Sequence, residues 1–249
     1  LNLVLYAGHG DFPRIIYAPG NLQEAYQLAA RAFNVADKYQ VPVFVLTDQY
    51  FLDSFYNVEE MQPVNVERYI VKTDENYRRY EITEDGVSPR GIPGYGTGVV
   101  RVDSDEHDEY GHITESAQVR KQMVEKRLRK EKLISQDFVP PTFYGNPDYE
   151  YLVVAWGSTQ ENIKEALERL GNDKIALLHF SQVYPVPQIA KEYFEKAKKV
   201  LFLEQNARGH FADLVKLTFG IDTSNRILKY DGSEFSVEEI VEALSQEVK

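Results

Sequence analysis

The chain has no cysteine at all. That excludes disulfides, thiolate nucleophiles, thiolate zinc sites and cysteine-ligated iron–sulfur clusters from these residues. It has no run of about 18 apolar residues, the length a bilayer-spanning helix needs. Positive charge is in deficit: 28 lysines and arginines stand against 39 aspartates and glutamates, a formal net charge of −11. A net anion repels the phosphate backbone, so neither nucleic acid nor a membrane is an expected partner. No signal peptide, solenoid repeat or low-complexity tract interrupts the sequence, and the expected compartment is the cytoplasm.

What is present is a globular balance. The 249 residues are 43% hydrophobic, 27% charged and 12% aromatic. The length suffices for one large or two modest cores. Leu1-Asn2-Leu3-Val4-Leu5-Tyr6 reads as a buried strand with no initiator methionine before it. A core strand at an extreme terminus suggests a sequence that starts inside a domain.

Residues 1–72 alternate strand and helix. Leu22, Ala25, Ala29, Ala32, Phe33 and Ala36 recur at three- and four-residue spacing, which predicts a helix from about Leu22 to Lys38. Asn21 with Glu24 makes a capping-box-like start. Pro42 leads into Val43-Phe44-Val45-Leu46, an apolar run suited to a strand covered on both faces. Residues 73–112 are rich in glycine and proline and show no sustained period, the mark of a functional or partner-bound stretch. From Ile113 to about Leu133 the pattern turns helical, with Ile113, Ala117, Val124 and Leu128 as a narrow apolar stripe.

A second αβ unit fills 149–249. Strands are expected at Tyr151–Ala155, Ile175–Phe180, Val200–Leu203 and Ile227–Tyr230, with helices near 159–170, 187–197, 208–219 and 237–247. Such alternation predicts an α/β fold of two mostly parallel αβ units.

Ligands of open αβ sheets sit beyond the carboxyl ends of strands. Gly8-His9-Gly10 and Asp48-Gln49 occupy that place, and glycines beside a histidine let backbone approach a ligand and leave the imidazole free. The competing reading of His9 is a tight turn with a solvent-facing ring. Gly157-Ser158-Thr159 offers amides to an anion, but Ser158 with Glu161 also spells a capping box, the better explanation, as does Ser236 with Glu239. The polar run Asp103–His112 could bind a divalent metal, yet its spacing matches neither a calcium loop nor a His-Glu-x-x-His site. A solvated or interface loop is the expectation, and no metal ligand is assigned. Arg120, Lys121, Lys126, Arg127, Arg129, Lys130 and Lys132 crowd the following helix, and a charged solvent face or an acidic partner explains them best. No Gly-x-Ser-x-Gly elbow orders a hydrolytic triad, and no catalytic residue is assigned.

Taken in order, the segments Leu5-Tyr6-Ala7-Gly8-His9-Gly10-Asp11-Phe12-Pro13-Arg14, Ala18-Pro19-Gly20 and Val45-Leu46-Thr47-Asp48-Gln49-Tyr50 resemble the alpha subunit of 2-oxoacid:ferredoxin oxidoreductases. Gly86-Val87-Ser88-Pro89-Arg90, Asp105–Glu115, Trp156-Gly157-Ser158-Thr159, Tyr184-Pro185 and Glu204-Gln205-Asn206 with Gly209 continue the series. His210 stands where relatives often carry glutamine.

The resemblance implies a subunit of an enzyme that converts a 2-oxoacid and coenzyme A to an acyl-coenzyme A, carbon dioxide and electrons for ferredoxin. It implies thiamine diphosphate and magnesium shared with a beta subunit, and iron–sulfur clusters on other chains only. Residues 1–72 would be the latter half of the pyrimidine-side domain, 73–147 a linker with a basic helix, and 148–249 a transketolase C-terminal-like domain. Gly8, His9, Gly10, Asp48 and Gln49 would line the cofactor cavity or support it. The acidic residue that contacts the aminopyrimidine would lie upstream of Leu1. A beta subunit, a ferredoxin-like subunit or ferredoxin, and a dimer of heterodimers follow as expected partners. The alternative is a non-catalytic αβ scaffold or assembly subunit; a metal protein built on 103–112 comes third.

Overall fold

A computed structural model describes residues 1–248. Two sheets carry the fold. The smaller joins β1 (Ile15–Tyr17), β2 (Val43–Val45) and β6 (Gln182–Tyr184) in the order β2-β1-β6. Its β1–β2 pair is parallel and its β1–β6 pair antiparallel. The larger has the order β3-β5-β4-β7-β8, from β3 (Thr142–Tyr144), β4 (Tyr151–Trp156), β5 (Ile175–Phe180), β7 (Lys199–Glu204) and β8 (Arg226–Leu228). All its pairs are parallel except β3 with β5. The mixed α/β architecture with parallel sheets is the one expected.

The central strands owe their place to composition. β5 is buried at every position and β4 at all but its ends, so both faces of these Val- and Leu-rich runs need cover. On one face Val153, Leu177 and Leu203 meet Ile163 of α5 (Gln160–Leu170) and Ile240 of α8 (Val237–Glu247). On the other, Leu152, Phe180 and Phe202 meet Phe211 of α7 (His210–Phe219) and Phe194 of α6 (Ala190–Lys196). Ile16 and Ala18 belong to that second cluster, so the core runs on into the smaller sheet. The outer side of β1 is closed by Leu28, Val35 and Tyr39 of α2 (Leu22–Tyr39) and Ile134 of α4 (Ala117–Gln136).

Several local expectations change. Residues Asn2–Leu5 form a short helix, α1, and not a strand. Leu1, Val4 and Leu5 share its inner side, while Leu3 is 86% exposed; this is helical spacing read as a run. β2 is an edge strand, and Val45 is exposed at its end. The helix expected from Ile113 begins at Ala117, capped by Ser116, whose side chain accepts from the Val119 amide. Ile113 stays outside it, bridged to His107. The buried stripe of α4 is Met123, Lys126, Lys130 and Ile134. Two of the cations assigned to solvent are thus interior. Lys126 donates to the Tyr80 carbonyl at 2.9 Å and Lys130 to the Gln40 carbonyl at 3.0 Å. The first bond pins residues 73–90 onto α4 and the second ties α4 to the end of α2. Gly86 permits the loop's approach because a Cβ there would stand 2.2 Å from the Lys126 carbonyl oxygen. Among the described residues no helix is long and apolar enough to cross a membrane.

Candidate functional site

The carboxyl ends of β1, β2, β4 and β7 converge on one cavity of about 210 Å³. Each strand delivers its following residues: Ala18 and Pro19, then Thr47 and Asp48, then Trp156 to Thr159, then Glu204 and Gln205. Within each sheet the parallel pairs β1–β2 and β4–β7 bring their carboxyl ends to one side, and both sets of ends border this crevice. An outer pocket of about 660 Å³, with Gln49, Asp53 and Lys229 on its wall, shares Asp48 and Gln205 with the inner one.

Asp48 is placed by its own helix. It is the N-cap of α3 (Gln49–Asp53), and its Oδ1 accepts from the Phe51 amide at 2.8 Å. Its Oδ2 accepts a hydrogen bond from the Ser158 hydroxyl. Ser158 therefore does not form the capping box expected of it; the N-cap of α5 is Thr159, with no side-chain cap bond. The hydroxyl meets Asp48 because the turn Gly157–Thr159 swings it across the cavity. Ser236 and Glu239, by contrast, form the capping box that their spacing predicts.

Glu204 ends β7 and is buried. Its carboxylate accepts from the Phe211 and Ala212 amides, both at 2.9 Å, and from Trp156 Nε1 at 3.2 Å. Its negative charge thus sits on the N-terminus of α7 and fixes the one tryptophan of the chain at the cavity wall. Behind the cavity, Glu24 accepts from the Gly20 amide at 2.9 Å, the Ser181 hydroxyl at 2.7 Å and the Gln160 amide at 3.2 Å. Burial alone would raise its pKa, but these bonds and the nearby His179 hold it below the ordinary value. The expected Asn21 cap is present, accepting from the Glu24 amide, while the Glu24 side chain serves Gly20.

Of the five sequence-nominated residues, Asp48 lines both pockets and Gln49 lines the outer one. Gln49 also bonds Asp53. Gly8, His9 and Gly10 are exposed and line neither. They belong to a turn braced by Arg14, whose guanidinium donates to the Val4 and Ala7 carbonyls at 2.8 and 2.5 Å. In the polar run, His107 stacks on Tyr80 with ring centroids 3.7 Å apart, and His112 pairs with Asp108 at 3.2 Å. Among the described residues no group of three or more histidines and carboxylates is placed to hold a metal. Glu24 was expected only as a helix-capping partner and Thr47 only within a motif, while His179 was not singled out; only its place on a strand could have flagged it.

A crevice at the strand ends of two sheets with parallel pairs, walled by carboxylates and apolar residues, is where an open α/β fold places a ligand site. Residues 2–126 match the family described as pyruvate flavodoxin/ferredoxin oxidoreductase, thiamine diphosphate-binding. That span is half of the sequence, and the chain belongs to this family. It is 33% identical to the 2-oxoacid:ferredoxin oxidoreductase subunit alpha of Saccharolobus solfataricus, across 100% of this chain and 41% of the relative. It is 36% identical to the 2-oxoacid:ferredoxin oxidoreductase 2, subunit alpha, of Aeropyrum pernix, over 92% of this chain and 37% of that one. The chain spans about two fifths of the length of these curated relatives. Among solved structures, the 2-oxoglutarate:ferredoxin oxidoreductase from Magnetococcus marinus, with 2-oxoglutarate, coenzyme A and succinyl-CoA bound, superposes with a TM-score of 0.86. The identity there is 26%, over 100% of this chain and 45% of that one.

Proposed function

We propose that this chain is part of the alpha subunit of a 2-oxoacid:ferredoxin oxidoreductase of the cytoplasm. The complete enzyme oxidatively decarboxylates a 2-oxoacid with coenzyme A and passes the electrons to ferredoxin. The observation that carries the reading is the superposition of the whole chain on part of an oxidoreductase solved with 2-oxoglutarate, coenzyme A and succinyl-CoA bound. The absence of cysteine supports placing the iron–sulfur clusters on other chains. We assign 148–249 to a transketolase C-terminal-like unit, 1–72 to the pyrimidine-side unit and 73–147 to a linker with a basic helix.

Thiamine diphosphate supplies a nucleophilic carbon and an electron sink when bound. The strand-end cavity fits its pyrimidine side in polarity. Pro19, Leu46 and Phe51 offer apolar walls, and Asp48 keeps lone pairs free for a ring-edge donor. Among the described residues no group of three or more histidines and carboxylates is placed to hold a metal, and we assign the diphosphate and magnesium to the beta subunit. In this reading Asp48 and Gln49 orient or support the ring, Ser158 holds the Asp48 carboxylate, and the Gly8-His9-Gly10 turn faces the beta subunit or substrate. The assembly is a dimer of heterodimers. The test is ferredoxin reduction by the native complex with 2-oxoglutarate, pyruvate or a branched-chain 2-oxoacid. Reduction should require one of these acids and coenzyme A together. Failure with all three acids overturns the reading.

A further inference from the structure

A buried histidine is hydrogen-bonded to the cavity wall. His179 lies on β5 opposite Ala155 of β4 and is fully buried. Its Nε2 is 2.8 Å from the Gly157 carbonyl oxygen, while Nδ1 has no hydrogen-bond partner among the described residues. The proton therefore sits on Nε2, which donates to Gly157. Leu177 and Leu178 beside it fill their sites with no polar atom to satisfy. A histidine here leaves one nitrogen unpaired, a cost that packing alone does not explain.

The bond goes where it has leverage. The Gly157 carbonyl and the Ser158 amide share one rigid peptide plane. Gly157 has φ +67°, in the left-handed region, so its own residue type does little to fix that plane. The His179 bond restrains it, and the next residue along carries the Ser158 hydroxyl. That hydroxyl donates to Asp48, whose carboxylate lines both pockets. A continuous line of contacts thus runs from β5 through the turn to the cavity.

We infer that His179 is a positioning residue for the strand-end cavity: it orients the Gly157–Ser158 peptide and, through Ser158, sets where the Asp48 carboxylate stands. The inference rests on the reading of this cavity as the pyrimidine side of the thiamine diphosphate site.

The test uses the native complex and three variants of this chain. His179→Leu removes the donor, His179→Gln keeps one, and Ser158→Ala breaks the next link. The thiamine diphosphate concentration for half-maximal activity should rise about tenfold in His179→Leu and in Ser158→Ala, the size expected for one lost hydrogen bond to a charged site. The kcat should stay within about twofold, because Asp48 positions the ring and not the reacting atoms. His179→Gln should restore the wild-type constant. The double variant His179→Leu/Ser158→Ala should be no worse than either single one, since both cut the same line. A second readout needs no activity: fluorine NMR of fluorotryptophan-labelled protein, with Trp156 assigned by Trp156→Phe. His179→Leu and Ser158→Ala should displace the Trp156 resonance alike, and His179→Gln should not. Additive losses in the double variant, or a Trp156 resonance that ignores Ser158, overturn the inference. If His179→Leu does not fold, Ser158→Ala against His179→Gln decides the same way. A wild-type complex without 2-oxoacid-dependent activity sinks the functional reading, and the Trp156 resonance still decides the role of His179.

Discussion

Between pH 6 and 9 this protein should gain stability as the pH rises, and the two interior lysines of α4 are the reason. Burial pulls the Lys126 ammonium down to about 7, with the Lys130, Arg79 and Arg127 charges adding to the effect and Glu109 opposing it. Lys130 is pulled to about 8, by burial first, then by Arg79 and Arg127, with Asp85 opposing. Neither lysine has a carboxylate within ion-pair distance among the described residues; each donates to a backbone carbonyl. In the unfolded chain both return to about 10.5. Between the folded and unfolded values the unfolded chain binds more protons, so stability rises with pH, by about 1.4 kcal/mol per pH unit for each group. Below pH 7 both states are protonated and the cost of burying an ammonium is fully present. It is relieved as the pH climbs through the folded values. From pH 6 to 9 Lys126 contributes over about two pH units and Lys130 over about one, together roughly 4 kcal/mol. Lys126→Met should remove about two thirds of that slope. It also strands the Tyr80 carbonyl, at a cost of about 1–3 kcal/mol that does not vary with pH. Urea unfolding followed by far-ultraviolet circular dichroism, at fixed ionic strength and stepped pH, measures both terms. A flat wild-type profile between pH 7 and 9, or an unchanged slope in Lys126→Met, refutes the reasoning.

Two other perturbations follow from the same packing. Asp137 accepts from Arg31, Lys38 and Tyr39; burial opposes ionisation, yet these bonds hold its carboxyl at about 2. Its contribution is present above the ordinary aspartate value and lost as the pH falls toward 2. Asp137→Asn should cost about 2 kcal/mol at pH 7 and flatten the acid limb of the unfolding profile, whereas an unaltered limb speaks against it. Gly86 has φ +82°, and a Cβ there would meet the Lys126 carbonyl. Gly86→Ala should lower stability by about 1–3 kcal/mol and speed proteolysis within 73–112, and cleavage at the wild-type rate would show that the loop docks by other means.

The alternating pattern of 149–249 was legible because its central strands β4, β5 and β7 are six residues long and mostly apolar, and its helices carry an apolar period. The Ser236–Glu239 cap and the Asn21 cap follow from spacing alone. The three-residue strands β1, β3 and β6 are too short for alternation to announce them; they exist because a neighbour supplies the pairing. Ser158 and Glu161 have capping-box spacing, yet the hydroxyl serves a residue 110 positions away. Local spacing cannot rank a distant acceptor against a near one.

The sequence by itself determined the fold class, the family through its ordered motifs, the exclusion of thiolate chemistry and the candidacy of Asp48 at a strand end. Those properties live in composition, in period and in residues close along the chain. Tertiary structure decided which cations are interior, since Lys126 and Lys130 look the same as Arg129 and Lys132 until the loop 73–90 lies over them. It also decided which candidates share a cavity: Asp48 meets Ser158, Glu204 and Trp156, while His9 stays in solvent. The physical reason is that burial and convergence depend on the packing of one sheet's strand ends against another's, and no local pattern encodes that distance.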